Sequence, residues 1–157
     1  MKRTILFSIL VIFCQYTLYS ETVNICSFND FLNSLLNGEQ IRVVVDYSRC
    51  LLESDGEISD QGPQAWGGMN VEVFEYFAPG LLGNEFGFVA FSHNSFIQLG
   101  QDFIYDYVKF RIFSNDSCEI SVIYLNPGNL EILMEEKFIT EINDSFNDCG
   151  LFLYIDD

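Results

Sequence analysis

The sequence predicts a mainly all-β fold, an antiparallel β-barrel or sandwich of about seven or eight strands preceded by one N-terminal amphipathic helix. Three observations predict it. One short segment carries helical periodicity, nearly everything after Gly38 alternates at period two among β-branched and aromatic residues, and clusters of Pro, Gly, Asn and Asp interrupt that alternation. The 157 residues include 16 Phe and 8 Tyr, enough ring area for one ordinary core, which excludes a disordered chain.

Taken in order, Met1–Ser20 has the arrangement of a secretory signal peptide: Lys2 and Arg3, an apolar run from Ile5 to Cys14, then Ser20 at the expected cleavage point. Ten apolar residues rise only about 15 Å as a helix, half of a hydrocarbon core, so no stable membrane anchor is expected. Residues 21–157 then read as a single domain. Phe28, Phe31, Leu32, Leu35 and Leu36 recur at helical spacing, with Ser27 as candidate N-cap and Gly38 as candidate terminator. Period-two runs follow at 41–48, 70–77, 87–93, 105–113, 119–125, 130–134, 137–142 and 151–155, separated by turn sequences such as Ala78-Pro79-Gly80 and Asn126-Pro127-Gly128-Asn129. Between them, Glu53–Gly68 has no period and reads as a loop; its acids lack the spacing of a preformed calcium site.

Charge excludes some functions. With 23 acidic and 7 basic residues the chain carries −16, and loss of Lys2 and Arg3 leaves five cations against 23 carboxylates, a net −18. Such a surface repels nucleic-acid phosphates, so no nucleic-acid partner is expected. The same cleavage removes Cys14 and leaves Cys26, Cys50, Cys118 and Cys149, an even number in an exported chain, which predicts two disulfides. Zinc is the rival, but spacings of 24, 68 and 31 residues contain no Cys-x-x-Cys pair, and no metal is expected. Four cysteines permit three pairings, and the order along the chain does not choose among them. Asn115-Asp116-Ser117 and Asn143-Asp144-Ser145 match the glycosylation acceptor, so Asn115 and Asn143 are candidate sites in a eukaryotic host.

No constellation reaches a catalytic signature, and no cofactor is implied. The sole histidine, His93, lacks an accompanying nucleophile elbow, and phosphate-loop and dinucleotide patterns are absent. The most informative strand is 105–113. Alternation gathers Tyr105, Tyr107, Lys109 and Arg111 on one face, fit to receive an anionic or aromatic ligand, and leaves Val108, Phe110 and Ile112 on a cleaner apolar face. The plainer account of the two cations is pairing across strands with carboxylates such as Glu72, Glu75 or Glu119. The apolar face favours an inward turn, which would leave Lys109 and Arg111 outside.

Set end to end, Arg42–Cys50, Gly67–Phe77, Phe88–Ser92 and Tyr107–Ile112 resemble the VirK family of small exported proteins, with matching order from about Phe28 to Tyr154. The resemblance implies export and one compact domain, and brings no activity or catalytic residues. The expectation is therefore a secreted protein, extracellular or periplasmic, that binds a small molecule or partner protein and is not an enzyme, with a possible part in virulence or host interaction implied by the family alone. Two alternatives stand beside it. One is a small secreted enzyme acting on an anionic or aromatic molecule through His93 or Glu75 with Tyr107 and Lys109; the other is an acidic matrix component that gathers cations.

Overall fold

The computed structural model describes residues 22–54, 57–59 and 62–155. The proposed signal peptide, with Cys14, lies outside the described residues, as do Asp55 and Asp60 of the acidic loop. Two antiparallel sheets face one another. The smaller has the order β1-β11-β2-β5, from β1 (Val23–Ile25), β2 (Ile41–Asp46), β5 (Trp66–Asn70) and β11 (Leu151–Ile155). The larger has the order β4-β3-β10-β9-β8-β7-β6, from β3 (Leu51–Ser54), β4 (Glu57–Ser59), β6 (Glu75–Phe77), β7 (Phe88–Leu99), β8 (Asp102–Phe113), β9 (Ser117–Leu125) and β10 (Ile132–Glu141). Among the described residues one isolated bridge, Ile142 to Leu151, joins the end of β10 to β11, and no ladder closes the two sheets on one another, so the fold is sandwich-like and the barrel alternative does not hold.

The eleven strands among the described residues exceed the seven or eight expected, for local reasons. Run 70–77 is interrupted: β5 begins four residues earlier, at Trp66, and β6 occupies only Glu75–Phe77. The aperiodic loop supplies the end of β3, β4 and most of β5, because the Gly67-Gly68 pair lacks the side chains that display alternation. Conversely, runs 130–134 and 137–142 are one strand, β10, bent by an irregularity between Ile132 and Met134.

Helix α1 (Phe28–Leu36) starts and stops on residues legible in the sequence. The Ser27 side chain accepts from the Asp30 amide at 3.2 Å. Gly38 adopts φ +80°, which lets its amide bond the Leu35 carbonyl and the Glu39 amide bond that of Ser34, the double closure of a Schellman end. Phe28, Phe31, Ser34 and Leu35 are buried, whereas Leu36 is exposed because it lies round the helix from the arc that those four define. Phe31 packs against Phe91 with ring centroids 6.2 Å apart, and Phe28 against Tyr76 at 6.5 Å, so the helix covers the core beside β6 and β7.

The core is the expected product of alternation. Ile41, Val43, Val45, Leu151 and Leu153 face inward from the small sheet, meeting Val89, Phe91, Phe110, Ile112, Ile120 and Phe138 from the large one. The sheets differ in reach. β7 and β8 each have 12 residues, about 40 Å at 3.3 Å per residue, whereas the small sheet's longest strand, β2, has 6. The small sheet therefore covers only part of the large sheet's inner face.

Candidate functional site

Where the small sheet ends, the inward positions of the large sheet change character. On β8 the inner row runs Ile112, Phe110, Val108, Asp106, and on β7 it runs Val89, Phe91, His93, Ser95. On β9 and β10 the same transition takes Ile120 and Phe138 to Tyr124 and Glu136. Together with Tyr47 and the segment Gly62–Met69, these polar positions line a cavity of about 800 Å³ between the sheets. That volume is within the range of small-molecule sites.

Tyr47 forms part of its wall for reasons traceable to its neighbours. Asp46, at the end of β2, is buried; it accepts from the amide and hydroxyl of Ser48 at 3.1 and 2.6 Å and pairs with Arg49 Nε at 3.1 Å. These bonds hold the single 3-10 turn Tyr47–Arg49, from which the Tyr47 ring packs on Phe138 at 4.8 Å. A Cβ on Gly67 would stand 3.1 Å from the Tyr47 ring, and one on Gly62 would overlap the Tyr47 carbonyl, so both glycines admit the close approach of Tyr47.

Asp106 is the electrostatic centre. Its Oδ1 is enclosed and has no hydrogen-bond partner. Burial raises its pKa, a tendency opposed by His93, its diagonal neighbour across the β7–β8 pair. Burial, reinforced by the charge of Asp106, also holds the Tyr47 phenol protonated far above its ordinary range. Tyr124 is raised by burial and then by Asp106 and Glu136. The cavity thus combines two neutral phenols, two carboxylates and an imidazole with an apolar wall that includes Trp66, Met69 and Val122.

The structure does not bring the five sequence-predicted ligand residues together. His93 lines the inter-sheet cavity, while Tyr107, Lys109 and Arg111 occupy the opposite face of the large sheet. There they line a second cleft of about 350 Å³ that also includes Glu75 and Phe88. Arg111 reaches Glu119 at 3.9 Å and lies over the Phe88 ring at 5.8 Å. Glu119 also pairs with Lys137 at 3.3 Å, and Lys137 with Glu53 at 3.2 Å, making a ladder of alternating charge across four strands. Tyr105 belongs to an exposed aromatic group near the end of the hairpin, 5.2 Å from Phe96. His93 is accordingly separated by the sheet from the Tyr107 and Lys109 partners that the enzymatic alternative assigned to it.

Sequence reasoning passed over Asp106, Tyr47, Tyr124 and Glu136. A signal for Asp106 was present, because alternation places it on the same face as Val108, Phe110 and Ile112, where a carboxylate interrupts an otherwise apolar row.

The cysteines also depart from expectation. Cys26, Cys50, Cys118 and Cys149 are all free, so the two expected disulfides are not formed in this structure. Cys50 and Cys118 are core residues, and β-sheet packing accommodates them as small apolar side chains. Burial pushes the Cys50 thiol up to about 11 despite a hydrogen bond with Thr140, and burial likewise raises Cys118. Of the two glycosylation candidates, Asn115 is exposed, whereas Asn143 is buried. The Asn143 amide donates to the Cys149 carbonyl at 2.9 Å and its oxygen accepts from the Ser145 amide at 3.0 Å, giving it a structural role in the loop before β11. No group of three or more His, Cys, Asp or Glu side chains is placed to hold a metal among the described residues, and none of their helices is long and apolar enough to cross a membrane.

Fold and site define a small two-sheet sandwich, covered beside β6 and β7 by a helix and opening between its sheets into a partly aromatic cavity rich in acceptors. A family model described as VirK protein matches residues 24–130, and the chain belongs to the VirK family. A crystal structure of a VirK family protein from Legionella pneumophila has a similar fold, with a TM-score of 0.62 at 16% identity over 83% of this chain and 98% of that one. No curated protein matches the chain.

Proposed function

We propose that this protein is an exported, non-enzymatic binding protein whose ligand is a small organic molecule held between the two sheets. The observation that carries the reading is the cavity of about 800 Å³, with aromatic and apolar walls and a few convergent polar groups. The apolar run behind Lys2 and Arg3 supports export.

Native mass spectrometry of protein purified from its producing cells tests this reading. The expected result is a retained small molecule on the wild-type chain that is absent from Ser95→Trp, in which an indole occupies the cavity. Retention of the same molecule by a folded Ser95→Trp variant would place the ligand elsewhere and overturn the proposal.

A further inference from the structure

We propose that the cavity selects ligands bearing a protonated amine on an apolar body, with the ammonium seated against the carboxylate of Asp106. This inference rests on the cavity reading above and specifies the chemistry of its occupant. The ionisable lining groups are Asp106, Glu136, His93, Tyr47 and Tyr124, and none of Arg42, Arg49, Lys109, Arg111 and Lys137 lines the cavity. An ionised carboxylate accepts hydrogen bonds and donates none. The enclosed Oδ1 of Asp106 lacks a donor in the protein, and the carboxylate to which it belongs lines the cavity wall with its charge uncompensated at that oxygen.

The surroundings favour the same chemistry. Tyr47 and Tyr124 place aromatic rings in the lining beside a cation, and Met69, Val108 and Val122 offer apolar surface to the body behind it. An anionic head in this position would face two carboxylates with the His93 imidazole as the one basic group in the lining, an arrangement that low local dielectric penalises. The formal charge of −16 further concentrates cations around the molecule. Cationic side chains are instead placed in the outer cleft, where Lys109 and Arg111 line the wall. The two faces of the large sheet therefore differ in the charge of the ligand they suit.

The test titrates octylamine, octanol and octanoate, which share a chain and differ in head charge, into the secreted protein at near-neutral pH and physiological salt. Octylamine should bind about tenfold more tightly than octanoate, a difference of about 1.4 kcal/mol. Asp106→Asn should reduce the amine preference over octanoate to about twofold or less, because the amide keeps the shape and loses the charge. Ser95→Trp should abolish binding of all three, separating cavity occupancy from adsorption to an acidic surface. Octanol binding without an amine preference, or a preference that survives Asp106→Asn, would overturn this inference and leave the cavity reading intact. Failure of all three probes to bind would overturn both.

Discussion

Asp106 illustrates how one residue is tuned by position along a strand. Two residues further along the inward row, Val108 begins a run of side chains packed against the core, whereas Asp106 stands where the opposing sheet has ended. Its carboxylate is partly desolvated and its folded-state pKa is raised above 3.8. A raised acid binds its proton more tightly in the folded state, so the penalty is fully present above the folded pKa and is relieved as pH falls toward 3.8. Asp106→Asn is therefore expected to stabilise the protein at neutral pH by up to about 1 kcal/mol, the small size reflecting partial solvation. The advantage should shrink as melts are repeated at lower pH. A variant less stable than wild type at pH 7 would show that the ionised carboxylate is favourably held.

Among the elements, helix α1 depends on a distant turn as well as on its own caps. The Phe28 amide at its first turn donates to Asp116 Oδ1 at 2.6 Å, across 88 residues of sequence. Asp116 lies in the turn between β8 and β9 with φ +66°, a conformation that Asp and Asn tolerate better than most residues. Asp116→Ala loses both the acceptor and this tolerance, and should cost about 1–2 kcal/mol. Asp116→Asn should retain most of the stability because it keeps the oxygen. Equal losses in chemical denaturation would assign the effect to charge near the helix N-terminus rather than to the hydrogen bond. Ser27 and Gly38 were legible beforehand because caps act within a few residues, while Asp116 was not, since its contact exists only after two strands have paired.

For the whole molecule, net charge and sheet architecture act against each other. Burial in one core must outweigh repulsion among 23 acidic residues, and the ladder through Arg111, Glu119, Lys137 and Glu53 offsets part of it on the outer face. Desolvation lowers the Lys137 pKa, but the hydrogen bonds and charges of Glu53 and Glu119 together outweigh it and raise the pKa, keeping its charge in place. Individually such exposed pairs contribute little. Lys109→Ala/Arg111→Ala should lower the melting temperature by only a few degrees, and added salt should recover the loss as screening shortens the range of repulsion. Loss of folding in this variant, at any salt concentration, would show that the two cations support packing rather than the surface field.

The sequence by itself determined the mainly β architecture, the position and ends of the helix, the inward set Val108, Phe110 and Ile112, and membership of the VirK family. These follow from local periodicity, capping chemistry and residue order, all of which are written in neighbouring positions. Tertiary structure alone decided that the sheets form an open sandwich, that Cys50 and Cys118 pack in the core, and that His93 lies on the opposite face of the large sheet from Tyr107 and Lys109. It also created the cavity, because the site depends on unequal reach: an inward side chain is core where the small sheet packs closely on it and cavity lining where only β5 and the segment before it stand opposite. Alternation reports which face a residue takes, but the covering strands are up to about a hundred residues away, and their length relative to β7 and β8 is fixed only when the two sheets pack.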